Sequence, residues 1–593
     1  MAVLPIAARR VVDNPWINFA SKSAFDISRV ELTDTATILH FITRGFPTTN
    51  LRINIDPVVK ADGKTFRLKH AFGITPGEDC PFPENGMMEF TLSFEAMPED
   101  TQMFDFVSDY GLWLRGIDLS GKPQPAFPEG VPHEVRTYSA DGPMPEPSFT
   151  IGETTLNFHL RPYLPEFSKG YMLGIDFPDG RQEHFQLNFD REGNATVRFM
   201  QYGSCQAGVA DMSNGGTGYA FFTVMPGETA DCWLDTRLSG VNAMCYREGV
   251  FRNFSRAMHT GYYGDFDRMR ERTPGFGMGL YAEDFADYHM TGEEYLGYVN
   301  DLYTSYTDSI ESSNLKPMEK EYLNLSLQNE ALTAIANYRD ILSDKYRVEK
   351  NDPFCDIPED SVPARLLPDD YKEVTGWFDV ANPKLLMDPI FGQAVGMIDW
   401  NEYGAPGDLS KSLRMVRRMM EKARERTLKP EDVDSLRSLS NPFFHTLGDS
   451  IFSMMAHEIQ LVKDNSPIFD SIVSPHRGKV VVVDLWNTWC GPCRRALKIN
   501  EPLKDAELSD EDIVWIYIAD ESSDQDEYEQ LKSGIKGIHY RLDRYQMDAI
   551  CDRFRVEGIL YYIIVDREGN EEGRPDLRDH ELYIREIKSK LQQ

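Results

Sequence analysis

Nowhere in the 593 residues do about 18 apolar residues follow one another, so no membrane-spanning helix is expected. Positive charge is scarce: 62 Lys and Arg stand against 95 Asp and Glu, a net charge of −33. A surface of that sign repels nucleic acid and anionic membrane, and both are excluded as partners. The one basic helix face, Arg414, Arg417, Arg418, Lys422, Arg424 and Arg426, lies opposite Leu413, Val416, Met420 and Ala423 and reads as a solvated face. Cysteine is sparse as well. Of eight, Cys80, Cys205, Cys232, Cys245 and Cys355 are scattered without the spacing of a disulfide framework. They are expected to be small buried hydrophobes, with one bridge among Cys205, Cys232 and Cys245 left open.

Metal-binding patterns are missing too. His457-Glu458 is followed by Leu461 where a zincin needs its second histidine, and His133-Glu134 by Thr137. No second Cys-x-x-Cys exists to complete a zinc site, so no metal site is expected. Gly275-Phe-Gly-Met-Gly279 follows no strand and lacks the spacing of a dinucleotide fingerprint.

What is present is a globular composition, 41% apolar and 12% aromatic, long enough for about three to five domains. One stretch carries chemistry: Val480-Val-Val-Val-Asp-Leu-Trp-Asn-Thr-Trp-Cys-Gly-Pro-Cys493. Four consecutive valines suit a central strand buried on both faces. Cys490-Gly491-Pro492-Cys493 then opens a helix carrying Arg494, Ala496, Leu497 and Ile499. Two thiols at this spacing can close into a disulfide, and free amides with the helix dipole favour a thiolate there. A free cysteine titrates near ~8.5, and in such a motif at about 7 or below.

This stretch resembles thioredoxin, and its flanks resemble the TlpA/ResA-like thiol–disulfide oxidoreductases of bacterial envelopes. Gly478-Lys479-Val480 leads the strand as in that family, Ile513–Ala519 reads as the next parallel strand, and Val556–Asp566 as the strand returning beside the site. A closing helix runs through Glu581–Leu591. The resemblance covers about the last fifth of the chain. It implies a thioredoxin-like fold, no cofactor beyond the cysteine pair, disulfide-bearing protein substrates, an upstream thiol protein as electron donor, and a place in the bacterial periplasm or cell envelope. Met1-Ala-Val-Leu-Pro-Ile-Ala-Ala8 fits either the tail of an export signal or a first strand.

Cys490 is expected to be the attacking thiolate and Cys493 the resolving thiol. Asp484, six residues before Cys490, matches the buried acid of thioredoxins and, desolvated in an apolar strand, is expected to have a raised pKa and to take the proton from Cys493. Trp489 and Trp486 are expected to pack around the motif, shielding the thiols and offering an apolar docking surface. Gly491-Pro492 between the cysteines goes with a reducing couple.

Two positions depart from the family pattern. Leu560 stands where the family has a cis-proline, and a cis bond before a non-proline costs about 2.5–4 kcal/mol, so a trans bond is expected and a docking groove at Ile559 and Leu560 that differs. Lys498 occupies the usual helix-proline position, with Pro502 displaced. Cys551 is expected to be buried.

The remainder reads as three further parts. Alternating apolar and polar residues such as Phe90, Leu92 and Phe94 mark residues 1–145 as a β-sandwich-like module, and Leu156, Phe158 and Leu160 open a second at 146–245. Pro- and Gly-rich loops near 121–128 and 142–147 separate them. A helical period takes over at 246–465, opened by the capping box Thr291-Gly-Glu-Glu294. The expected fold class is therefore multidomain: all-β sandwich modules, an all-α unit, and an α/β thioredoxin-like domain at 466–593. The expected function is reduction of protein disulfides. Two alternatives stand beside it: a partner-binding scaffold with a degenerate thioredoxin-like domain, supported by Leu560, and a metal carrier using Cys490 and Cys493.

Overall fold

The computed structural model of the chain describes residues 8–592 except 47–48, 109–110, 125, 166–169, 212–217, 251–253, 256, 274, 276, 282–286, 353, 359, 389–391, 393 and 510. The apolar start Met1-Ala-Val-Leu-Pro-Ile-Ala therefore lies outside the described residues. Contacts divide the chain into two compact units, Met1–Glu421 with Glu431–Gly448, and Lys422–Pro430 with Asp449–Gln593.

The first unit begins with nine antiparallel strands in one continuous sheet, its edges formed by Arg10–Asp13 and Trp16–Ala20. This differs from the expected two-sheet sandwich. Ladder slips in the strands Phe25–Leu32, Lys64–Phe72 and Met103–Ser108 supply the kind of irregularity that bends a sheet, and inward residues such as Phe25, Phe41, Phe90 and Phe106 fill one shared core. Phe41 and Phe90 stack at 4.8 Å, which pins two neighbouring strands. Two four-stranded sheets follow. Leu156, Phe158 and Leu160 of Ile151–Arg161 meet Leu173, Val209 and Phe222 of the opposite sheet in a common core, which is a sandwich. One pairing within it is parallel, Ile151–Arg161 with Thr229–Asp235, and its last strand, Ala257–His259, comes from beyond residue 245. Helices then dominate, beginning with Gly292–Ser312 and Pro317–Ala336. Thr291 caps the first of these through the expected box with Glu294.

The second unit holds a five-stranded sheet in the order Ile538–Leu542, Ile513–Asp520, Val480–Leu485, Tyr561–Val565, Glu571–Arg574. The first three strands are parallel, and the last two antiparallel. All six residues of Val480–Leu485 are buried, as a strand covered on both faces requires. Val480, Val482 and Trp486 pack with Leu497 of the helix Gly491–Ala506 and Ile587 of the closing helix His580–Leu591. Val481, Val483 and Leu485 face the other way, against Phe469 and Ile550. Burying each such side chain stabilises the fold by about 1.5–3 kcal/mol. Among the described residues no helix is long and apolar enough to cross a membrane.

The two-sided burial of this sheet predicts a sharp contrast. Ile563→Ala, at a fully buried position of the strand beside Val480–Leu485, is expected to destabilise the second unit by about 2–5 kcal/mol. Ile499→Ala, on the exposed side of the helix, is expected to change it by under about 0.5 kcal/mol. Denaturant unfolding followed by amide exchange of the sheet reads both, and equal losses would contradict the layer assignment.

Candidate functional site

The strand Val480–Leu485 delivers the chain into a tight loop, and the loop ends at Cys490, the cap residue of the helix Gly491–Ala506. Pro492 fits the first helical turn, where its missing N–H costs nothing. Cys490 and Cys493 are joined in a disulfide with their Cα atoms 5.3 Å apart. The Cys493 amide donates to Cys490 Sγ at 3.2 Å, so a backbone N–H and the positive helix end both bear on the first sulfur. Cys490 is 4% exposed and Cys493 fully buried.

A polar network fastens this loop to the one after Ile513–Asp520. Ser523 Oγ donates to Asn487 Oδ1 at 2.9 Å and accepts from the Thr488 amide at 3.1 Å, and the Asp520 amide donates to the same Asn487 oxygen at 3.0 Å. Asn487, Thr488 and Ser523 are buried, so these bonds are made away from competing water. The two tryptophans divide. Trp486 is completely buried and stacks on Tyr528 at 5.8 Å, as expected of a residue that shields the site. Trp489 is 61% exposed, with its indole N–H donating to Ser522 Oγ at 2.9 Å. The expectation that both shield the thiols is corrected: the Ser522 bond turns the Trp489 ring outward, where it presents an apolar face to solvent.

Asp484 lies in the central strand on the same face as Val482 and Trp486, toward the redox helix. It is 4% exposed, and its Oδ1 has no hydrogen-bond partner. Burial pushes its carboxyl up to about 8, with Lys504 pulling it down and Glu501 pushing it further up. Three tyrosines surround this acid. Tyr517 and Tyr562 stand directly beside it in the two neighbouring strands, and Tyr583 comes from the closing helix. Burial raises all three phenols, and the charge of Asp484 adds to the rise. Tyr562 OH accepts from Asn500 Nδ2 at 3.1 Å, and Asn500 Oδ1 is 3.0 Å from His580 Nδ1.

The peptide bond between Ile559 and Leu560 is cis. This corrects the expected trans bond. Leu560 is 5% exposed, packs in the core that holds Cys490 and Cys493, and its carbonyl accepts from Arg578 Nε at 3.1 Å, so tertiary contacts fix its backbone where no proline does. Ile559 is half-buried beside it. Pro502 lies inside the helix, which continues to Ala506. Cys551 is half-buried and packs on the Phe469 side of the sheet, away from the pair, with its thiol raised to about 11 by burial. Cys205, Cys232 and Cys245 are free thiols, so no bridge joins them.

Sequence reasoning brought together Cys490, Cys493, Asp484 and Trp486. It missed Glu501, Lys504, Tyr517, Tyr562 and Tyr583. One signal was present: Cys493, Leu497, Asn500 and Lys504 share a face at helical spacing, which puts an amide and a lysine on a core stripe, and both are buried.

No protein-family model matches the chain, and no curated protein matches it. Solved structures match over about a fifth of the chain. They include a thiol:disulfide interchange protein of the thioredoxin family from Chlorobium tepidum TLS, at 18% identity over 20% of this chain and 84% of that one, with a TM-score of 0.19. Others come from Bacteroides vulgatus. The thioredoxin domain of a thiol-disulfide oxidoreductase is 20% identical over 20% of this chain and 82% of that one, TM-score 0.18. Another, titled a thiol-disulfide oxidoreductase, is 27% identical over 20% and 78%, TM-score 0.17. The thioredoxin-like character of the region rests on its sheet order and on the Cys490–Cys493 turn.

The burial of Asp484 has a consequence for stability. An unfolded aspartate titrates near ~3.9. Between that pH and about 8 the folded chain keeps a proton that the unfolded chain has lost, so stability falls as pH rises through this window and levels off above it. Asp484→Asn removes the ionisation. With the disulfide intact, the unfolding midpoints of parent and variant are expected to diverge from pH 4 to pH 9, the variant becoming the more stable. A constant offset over that range would contradict a buried, protonated Asp484.

Proposed function

We propose that the chain is a thiol–disulfide oxidoreductase that reduces disulfides of client proteins in the bacterial envelope, drawing electrons from an upstream thiol protein. The observation that carries this reading is the Cys490–Cys493 disulfide capping a helix that follows the strand of the buried acid Asp484. Gly491 and Pro492 hold the turn, the exposed Trp489 ring and the Ile559–Leu560 backbone form the client-facing surface, and no cofactor is needed beyond the two sulfurs. Of the stretches 1–145, 146–245, 246–465 and 466–593, the last carries the redox pair, and the sandwich begun in the second takes its last strand, Ala257–His259, from the third.

The reaction balances as follows. In the reduced protein the Cys490 thiolate attacks one sulfur of a client disulfide, forming a mixed disulfide and releasing the other client sulfur as a thiolate. Asp484, ionised, accepts the proton of Cys493. The Cys493 thiolate attacks Cys490 Sγ. The Cys490–Cys493 bond forms, the bond from Cys490 to the client breaks, and the client leaves as a second thiolate, which takes up a proton. Two electrons have passed from the cysteine pair to the client. A thiol protein restores the pair by the reverse exchange.

The order of attack sets the test. Cys490→Ser is expected to abolish reduction of a model disulfide protein such as insulin. Cys493→Ser is expected to stop at a stable mixed disulfide through Cys490, visible by mass spectrometry and released by dithiothreitol. Asp484→Asn is expected to slow turnover by about 10²-fold. Mixed disulfides through Cys493 in Cys490→Ser, at a rate matching the parent, would overturn the assignment.

A further inference from the structure

The ion pair Lys504–Glu501 belongs to the redox helix Gly491–Ala506, on its inward side, where surface charge is out of place. Lys504 is 4% exposed although it is a lysine, and Glu501 one turn earlier is 17% exposed. The pair is built in from several sides. The Lys504 ammonium also donates to the carbonyl of Lys536 at 2.6 Å, and it sits 4.6 Å from the ring centre of Tyr517 and 5.0 Å from that of Trp515. Glu501 accepts from Tyr517 OH at 3.1 Å and from the Lys536 amide at 3.1 Å. Tyr517 is the residue paired across the ladder with Asp484. The helix charges thus meet Tyr517, the strand neighbour of Asp484.

A buried ion pair is seldom retained for stability, since the cost of desolvating two charges offsets their attraction. Its two members have opposite effects on a nearby acid: a cation favours the carboxylate and an anion favours the protonated form. We propose that Lys504 and Glu501 are positioning residues that set, through Tyr517, how readily Asp484 gives up its proton, and so the pH at which Cys493 can be deprotonated for resolution. This rests on the thiol–disulfide reading above. The other groups facing Asp484 are phenols, Tyr562 from the adjoining strand and Tyr583 from the closing helix. Behind them stand Asn500 and His580, and His539 stacks on Tyr517 at 5.1 Å. Burial raises the three phenols and lowers His539, so these groups stay neutral near pH 7 and above, and the net field on Asp484 is that of the pair. Burial also lowers the Lys504 ammonium, while Glu501 holds it up.

The test uses the full chain in three variants: Lys504→Met, Glu501→Gln, and both together. Gln keeps the shape of Glu501 and one acceptor oxygen, for Lys504 and Tyr517, and removes the charge; its NH2 replaces the oxygen that accepts from the Lys536 amide. The readout is the titration of the Asp484 carboxyl in the oxidised protein, by carbon-13 NMR of labelled aspartate assigned with Asp484→Asn. Beside it runs the pH dependence of client release from the mixed disulfide in stopped flow. Lys504→Met is expected to move the Asp484 half-point up by about one unit, Glu501→Gln to move it down by about as much, and the double variant to return it toward the parent. The release profile is expected to move with it. Shifts of the same sign in both single variants, as loosened packing would give, or no shift in Glu501→Gln, overturn the proposal. Opposite shifts in a parent that releases no client support the coupling and overturn the oxidoreductase reading instead.

Discussion

The redox unit depends on one buried carboxyl whose Oδ1 has no hydrogen-bond partner. Asp484 sits in a strand chosen for burial, with apolar neighbours above and below it, and water that would solvate a carboxylate is excluded by Trp486, Tyr517, Tyr562 and Tyr583. A group held in this way keeps its proton near neutral pH, and can take one from a nearby thiol only because its own proton is held loosely enough to exchange. The strand cannot be relaxed without losing the acid, and the acid cannot be exposed without losing the strand.

The disulfide obeys a complementary constraint. It caps a helix, where amides without intrahelical partners point at the first sulfur. The loop network through Asn487 and Ser523 fastens the cap to the neighbouring loop, and Ser522 holds the exposed Trp489 ring.

How much of this was legible in the sequence follows from range. Val480–Leu485, the Cys-Gly-Pro-Cys turn and Asp484 are local patterns: a run of β-branched residues, a spacing of two, an acid where only apolar residues belong. The Ile559–Leu560 backbone was not legible, because the residue type points to trans and only its tertiary contacts settle it. Lys504 and Glu501 were hidden for another reason. A Glu and a Lys three apart on a helix ordinarily mark solvent, and burial shows only once Trp515 and Tyr517 lie alongside. In the first unit, alternation identified strands such as Met87–Phe94 but not their pairing, since a single nine-stranded sheet joins residues about a hundred positions apart, Ile17 with Ile117 among them.

The central claim is that Cys490 and Cys493 form a working redox couple, and their reduction potential tests it most directly. The oxidised fraction of the full chain would be read by thiol trapping across dithiothreitol and glutathione buffers. A two-electron transition near the roughly −270 mV of thioredoxin is the predicted result, given Gly491-Pro492 between the cysteines. A pair that stays reduced in every buffer, or that fails to form the intramolecular disulfide, would contradict the account.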